Sequence, residues 1–277
     1  MRLMSFVQDG EARCGAVLGE EVLDLTARLG AALEDLLRAD SLNEVRRALD
    51  APGPRRPLAG IAPLMPIPAP RRVFCVGANY PKRHPLGGEV AGPPYPALFQ
   101  KHAEALVPHG APLAMPAAST QLDYEGELAV IIGRGGACIR EAEALRHVAG
   151  YAPFNDGSVR DLQKQSLWAG KNSVRSGAFG PWITTADEVP DPAALRLVTR
   201  LNGTVVQDTL AGRMFFGVPA LIAYISAITP LLPGDVIATG SPEGSGATQD
   251  PPRWLRPGDR VAVEIGGLGT LENVVAA

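Results

Sequence analysis

Beyond residue 70 the chain alternates short apolar runs, rich in valine and isoleucine, with turn signals: "RRVFCVGANY", "ELAVIIG", "PWITT", "LRLVTRLNG", "GDVIATGSP" and "DRVAVEIGGLGTLENVV". Runs of this length and composition predict strands. Two stretches carry helical signals instead, near 156–168 and 216–228. This order predicts an α+β domain that is predominantly β, not repeating βαβ units. The two "PGD" turns at 233–235 and 257–259 are each expected to launch a strand. The first fifty residues read as a small unit of their own. "RLMSFVQDG" and "CGAVLGEEVLDL" predict strands around a turn at Asp9 and Gly10, and "ALEDLLRADSLNEVRRALD" predicts helix, with Ser41 and Glu44 spaced as a capping box. Residues 51–70 hold seven prolines and are expected to form an extended connector. The organisation expected is a small N-terminal α+β domain, 1–66, followed by a larger domain, 67–277.

The stretch "LDYEGELAVIIG", 122–133, enters one of these apolar runs with three carboxylates at alternate positions, Asp123, Glu125 and Glu127. Alternate residues of a strand share a face. On one reading that face is solvent-exposed, with Tyr124 and Leu128 turned inward. On the other it holds a hard divalent cation, because magnesium, manganese and calcium take carboxylate oxygens and need no histidine or cysteine. "NDGSVRDLQKQSLW" offers a further ligand. In a helix starting at Asn155 or Asp156, the residues Asp156, Arg160 and Gln163 fall at i, i+4 and i+7 on one face. The same residues also suit a capping aspartate with an exposed ion pair.

Three further segments carry polar groups of interest. Lys171 stands in "WAGKNSVRSGAFGPW", where it is either a solvated surface group or a cation able to polarise a carbonyl oxygen. "TGSPEGSG", 239–246, has the small residues that let backbone N–H groups approach an anion, and equally those of an ordinary turn. "VFCVGANYPKRHPLGGE" runs from an apolar strand into Asn79, Tyr80, His84 and Glu89. A histidine oriented by a carboxylate is the usual general base near neutral pH, although a single loop histidine is commonly inert.

The charge balance narrows the partners. With 26 Lys and Arg against 29 Asp and Glu, the net charge is −3, and the cations are scattered. Such a surface lacks the basic footprint of a nucleic-acid or anionic-membrane binder, which leaves small molecules as the expected partners. "FFGVPALIAYISAITPLL", 215–232, is uncharged over 18 residues, but Pro219, Pro230 and its hydroxyl-bearing residues predict a buried helix and not a membrane span. Three separated cysteines, Cys14, Cys75 and Cys138, indicate small core residues in a reducing compartment. The N-terminus has no apolar signal core, so the expected location is the cytoplasm.

Taken in order, "VGANY", "LDYEGELAVIIG", "VAGYAPFNDGSVRDLQ", "GK" at 170–171, "GPW", "LNG" followed by "Q", "PGDVIATGSPEG" and "LRPGDRVAVEIGGLGTLENVV" resemble the fumarylacetoacetate hydrolase family. The resemblance spans about residues 71–275. It implies a twisted, mostly β sheet roll in a homodimer, with a divalent metal at its open end, and an N-terminal unit like that of many members. By match to the family's E-x-E and N-D-x-S-x-R-D-x-Q motifs, it implies that Glu125, Glu127 and Asp156 ligate Mg2+ or Mn2+, with Ca2+ ranking behind. It likewise implies that Tyr80, Arg160, Gln163 and Thr239 bind substrate and that Lys171, His84 and Glu89 are catalytic. Asp123 is left as a neighbour of the site.

This chain departs from the family at two places. Many members carry G-x-N-Y-x-x-H-x-x-E, whereas here three residues separate Tyr80 from His84 and four separate His84 from Glu89. After Lys171 the chain reads Asn172, Ser173, Val174, Arg175 in place of the usual S-x-D, and Arg175 either meets a second acidic group or points to solvent. The expected function is a metal-dependent hydrolase cleaving a carbon-carbon bond in a 2,4-dioxo acid, in the breakdown of aromatic compounds or sugar acids. An isomerase or decarboxylase of an oxo-diacid working through the same enolate is the first alternative. A metal and oxo-acid binding protein without turnover is the alternative of another class.

Overall fold

In a computed structural model the chain is described over residues 1–38, 41–50, 53–81 and 91–276. Its centre is the strand Gly126–Ile132, every residue of which is buried. It lies antiparallel between Val148–Asn155 and Val236–Ala238. Its side chains divide between two cores: Ala129 and Ile131 on one face, Leu128, Val130 and Ile132 on the other. Both faces being covered explains a continuous apolar run where a half-exposed strand would alternate. On one face the helices Leu33–Leu36 and Leu42–Asp50 contribute Leu33, Leu36 and Val45. On the other the helix Val218–Ile228 contributes Leu221, Ile222 and Ile225. This is the uncharged run of the sequence, started by Pro219 in its first turn, where a missing N–H costs nothing. No helix among the described residues is long and apolar enough to cross a membrane.

The central sheet continues from Val236–Ala238 to Val73–Gly77, in parallel, and then to Ala97–Lys101. In the other direction it passes through Ile183–Thr185 to the N-terminal strand Arg2–Gln8, with Leu3 opposite Ile183. Glu11–Leu18, Glu21–Asp24 and Arg55–Pro57 complete that side. The N-terminal unit thus extends the same sheet and shares a core with Val73 and Cys75. A second sheet of four strands, in the order Thr204–Leu210, Arg196–Leu201, Arg260–Ile265, Gly269–Val274, encloses a third core with Leu122, Tyr124 and Val159. The predominantly β, α+β class expected from the run order is the class observed, and both "PGD" turns lead into strands.

Several expectations are corrected. The helix expected from 155 onward does not begin there. Asn155 ends a strand, Asp156 and Gly157 turn, Ser158–Val159 pairs with Leu122–Asp123, and only Arg160–Gln163 and Leu167–Lys171 are helical. The reason is steric: a Cβ on Gly157 would lie 1.8 Å from the carbonyl oxygen of Ser176, a close approach that fixes the turn after Asp156. The proline-rich connector is not wholly irregular, since Arg55–Pro57 and Ala62–Pro63 add edge pairing to it. Cys14 and Cys75 are buried as expected, but Cys138 is exposed.

Gly157→Ala is therefore expected to lose about 3 kcal/mol, the upper end for overpacking, because backbone and not a movable side chain stands in the way. Urea unfolding at equilibrium measures it; a loss below about 1 kcal/mol, the ordinary cost of an exposed glycine exchange, would contradict the packing described.

Candidate active site

The central hairpin brings the acidic groups together. Gly126 pairs with Asn155, so Glu125 and Asp156 emerge side by side just beyond the paired residues, and Glu127 follows on the strand. Carboxylate oxygens of Glu125, Glu127 and Asp156 lie within 4.8 Å of one another. They line a cavity of about 260 Å³ together with Arg160, Gln163, Lys171 and Ser241, and its lining also has apolar residues, Val76, Ala97, Phe99 and Leu167.

The cations are distributed unevenly over these carboxylates. The Lys171 ammonium is 2.5 Å from Glu125 Oε2 and 2.6 Å from Asp156 Oδ2. Arg160 Nη2 donates to Glu125 Oε1 at 2.6 Å, Nε to Asp123 Oδ2 at 2.8 Å, and Nη1 to Gln163 Oε1 at 3.0 Å. Glu127 accepts the Gly240 N–H at 2.9 Å, and no ion pair among the described residues includes it. The titration behaviour follows. Burial pushes the Glu125 carboxyl up, but Lys171 and Arg160 outweigh it and bring it down to about 2. Burial, then the charges of Asp156 and Glu125, push Glu127 well above the usual carboxylate range. Burial opposes the charge on Lys171, yet Asp156 and Glu125 raise it further, so its ammonium holds its proton.

Asp123 separates from the other two acidic residues of its stretch. Tyr124 and Glu125 fall between the strands Leu122–Asp123 and Gly126–Ile132, so the three do not stand on one continuous strand. The solvent-facing reading fails as well: Asp123 is fully buried and Glu127 is 2% exposed. Asp123 accepts the backbone N–H groups of Tyr124, Gly246 and Ala247 at 2.9, 2.7 and 3.1 Å, besides Arg160.

The donor set fits a hard divalent cation on three counts. It offers only oxygen. Four carboxylates, Asp123, Glu125, Glu127 and Asp156, face three cations, Lys101, Arg160 and Lys171, so a further positive charge is needed for all four to be ionised together. Asp156 Oδ1 is buried without a hydrogen bond: the Lys101 ammonium is 2.9 Å away but donates to the carbonyls of Gly157 and Lys171 instead.

Of the residues singled out in the sequence, Glu125, Glu127, Asp156, Arg160, Gln163 and Lys171 share this cavity. Asp156, Arg160 and Gln163 meet there although no single helix carries them. Tyr80 is buried, its hydroxyl has no hydrogen-bond partner among the described residues, and it is not among the lining residues. Thr239 donates its hydroxyl to the Leu128 carbonyl at 2.9 Å, while Ser241, two residues on, reaches the cavity. Arg175 is exposed and turned toward the Pro112 carbonyl, away from the cavity. His84 and Glu89 fall outside the described residues.

Sequence reasoning passed over Lys101, a fully buried lysine side chain behind Asp156. The signal was present: Phe99 and Lys101 are two apart on one strand and so share the face turned to the site. Gln207, the glutamine that follows "LNG" in the ordered motifs, was given no role there; it accepts the N–H of Gly126, between the two glutamates, and donates to Ser241 Oγ and the Pro242 carbonyl. Asn79 similarly clamps the Thr239 carbonyl and both backbone groups of Phe216.

With this geometry established, three comparisons locate the chain among known proteins. The family model of the fumarylacetoacetate hydrolase C-terminal domain matches residues 72–276. A mitochondrial oxaloacetate tautomerase of Bos taurus is 39% identical over 85% of this chain and 76% of its own length. An oxaloacetate tautomerase of Bacillus subtilis is 38% identical over 76% of this chain and 71% of its own. Among solved structures, a fumarylacetoacetate hydrolase from Exiguobacterium antarcticum superimposes with a TM-score of 0.87 at 36% identity, over 100% of this chain and 99% of that one. A maleylpyruvate hydrolase from Sphingobium sp. SYK-6, in complex with manganese(II) and pyruvate, does so with a TM-score of 0.84 at 31% identity, over 100% and 99%.

Proposed function

Because the chain belongs to the fumarylacetoacetate hydrolase family, we propose that it is a divalent-metal-dependent enzyme that interconverts the keto and enol forms of a small 2-oxo diacid, with oxaloacetate as the substrate. The observation that carries this reading is the pairing of a compact carboxylate triad, Glu125, Glu127 and Asp156, with two cations, Arg160 and Lys171, on one small cavity. The tautomerases among the relatives support the choice of substrate.

Glu125, Glu127 and Asp156 would hold Mg2+ or Mn2+, which when bound supplies a Lewis acid for the 2-oxo and adjoining carboxylate oxygens. The chain's own groups account for the rest. One N–H of Arg160 Nη1 goes to Gln163, leaving the second to bind a substrate carboxylate. Gln163, its carbonyl oxygen turned to Arg160, keeps its NH2 group as a donor to the same ligand. The Lys171 ammonium, which keeps its proton in this field, sets a positive charge where the enolate oxygen develops. Moving a proton between C3 and O2 demands no attacking water, and among the described lining residues no imidazole stands ready to activate one. The apolar lining residues Val76, Phe99 and Leu167 keep bulk water from the enolate carbon.

Cleavage of a carbon-carbon bond in an acylpyruvate is the second reading, favoured by the superposition on the maleylpyruvate hydrolase that holds manganese and pyruvate. It requires His84 and Glu89 to deliver water. One experiment separates the two: following enol-oxaloacetate in the ultraviolet, and acylpyruvate products by chromatography, with Mg2+, with Mn2+ and with EDTA. Metal-dependent equilibration of oxaloacetate is expected. Cleavage of acylpyruvate without any effect on oxaloacetate would replace tautomerisation by hydrolysis, and inertness toward a broad oxo-acid panel would leave binding alone.

A further inference from the structure

We propose that Asp123 is a positioning residue for the anion-binding arginine: it fixes the plane of the Arg160 guanidinium and ties it to the backbone of residues 246–247. The inference rests on the assignment of Arg160 to substrate binding made above.

Arg160 lies in a helix of a single turn, Arg160–Gln163, which by itself has little to hold a long side chain in one rotamer. Two carboxylates instead grip it from two sides. Glu125 takes Nη2, and Asp123 takes Nε at 2.8 Å and also lies 2.8 Å from Nη2. Glu125 is in turn shared with Lys171, so its carboxylate is drawn toward a competing cation. Asp123 has no such competitor. Its Oδ1 accepts Tyr124 N–H and Gly246 N–H, and its Oδ2 accepts Ala247 N–H beside Arg160 Nε. Those backbone donors set the carboxylate orientation, and the carboxylate then sets the guanidinium. A Cβ on Gly246 would lie 1.9 Å from the Arg253 carbonyl, so the chain at that position is itself closely confined. Asp123 is fully buried and does not line the cavity, which distinguishes it from the triad.

The test is a double-mutant cycle read by oxalate binding to the Mg2+-loaded full chain, measured calorimetrically for wild type, Asp123→Asn, Arg160→Gln and the pair. Oxalate presents the two adjacent oxygens of a 2-oxo acid and is not turned over. Asp123→Asn is expected to weaken oxalate about 10- to 100-fold, the usual effect of losing an outer partner of a binding group. Its Mn2+ affinity is expected to fall much less than its oxalate affinity, because Asp123 reaches the metal-binding carboxylates only through the guanidinium it shares with Glu125. In the Arg160→Gln background the same substitution is expected to add no further loss. Equal loss in both backgrounds would show that Asp123 acts only through packing and would overturn the proposal, as would wild-type oxalate affinity in Asp123→Asn. Should Asp123→Asn fail to fold, Asp123→Ser enters the same cycle, since it leaves room for a water to serve the backbone donors. Failure of wild type to bind oxalate would overturn both this proposal and the metal-site reading, whereas loss of the coupling alone would overturn only this one.

Discussion

Glu127→Gln is expected to abolish metal-dependent turnover and to weaken Mn2+ binding by about 100-fold or more, since loss of an outer-shell partner alone costs about 10- to 100-fold. The same substitution is expected to raise the melting temperature of the metal-free protein. Glu127 is buried beside Asp156 and Glu125 with a single backbone N–H as partner, and its carboxyl is held well above the usual range. The sign follows from linkage: a carboxyl whose folded pKa is raised carries a cost in stability that is full above the folded value, shrinks as pH falls below it and is gone below the unfolded value. An isosteric neutral amide removes it at every pH, while its carbonyl still accepts the Gly240 N–H. In EDTA the variant should melt a few degrees higher; in Mn2+ the order should reverse, because only wild type gains from the ion. Calorimetric scans in the two conditions check both halves. A variant that melts lower than wild type in EDTA would mean that Glu127 already has its counter-charge.

Lys171→Met should move the other way. Its ammonium is the shared partner of Glu125 and Asp156, and its removal leaves the buried Asp156 and the partly buried Glu125 without their nearest cation. Breaking a buried pair from one side costs about 3 to 5 kcal/mol. The metal-free variant is therefore expected to be strongly destabilised at neutral pH, with turnover reduced by about 1,000-fold for want of the charge at the enolate oxygen. A divalent cation restores the missing positive charge, so the rise in melting temperature on adding Mn2+ should exceed that of wild type. An equal rise in both proteins would show that Lys171 does not compensate the carboxylates that attract the metal.

The sequence disclosed the composition of this site better than its construction. Glu125 and Glu127 stood out because two charges in an apolar run need a reason, and Asp156, Arg160, Gln163 and Lys171 belong to the same cavity. The routes that bring them there were less visible. A helical wheel grouped Asp156 with Arg160 and Gln163, yet the grouping is made by a turn whose shape depends on the Ser176 carbonyl, about twenty residues downstream. Strand alternation put Asp123 with the glutamates, but the strand is interrupted at Tyr124 and Glu125, and Asp123 does not line the cavity. Lys101 escaped notice, and Gln207 was marked only as part of a motif, because each acts on a neighbour remote in the chain, Asp156 and Gly126 respectively. The predominantly β class was legible from run length and turn spacing, both local quantities. The addition of Arg2–Gln8 to the central sheet through Ile183–Thr185 was not, since a pairing across most of the chain leaves no periodic trace.

The carboxylate triad hangs on one antiparallel ladder, with Glu127 opposite Phe154 and Gly126 opposite Asn155. Ser241, which lines the same cavity, arrives on a connection instead. Backbone hydrogen bonds hold the first set to a fixed spacing, whereas connections tolerate exchange and insertion. Such an arrangement separates what must be inherited unchanged from what is open to selection. A lineage can rewrite the connections without disturbing the spacing that the ladder sets. Relatives named as tautomerase, hydrolase and isomerase are the diversity that such a division of labour leaves room for.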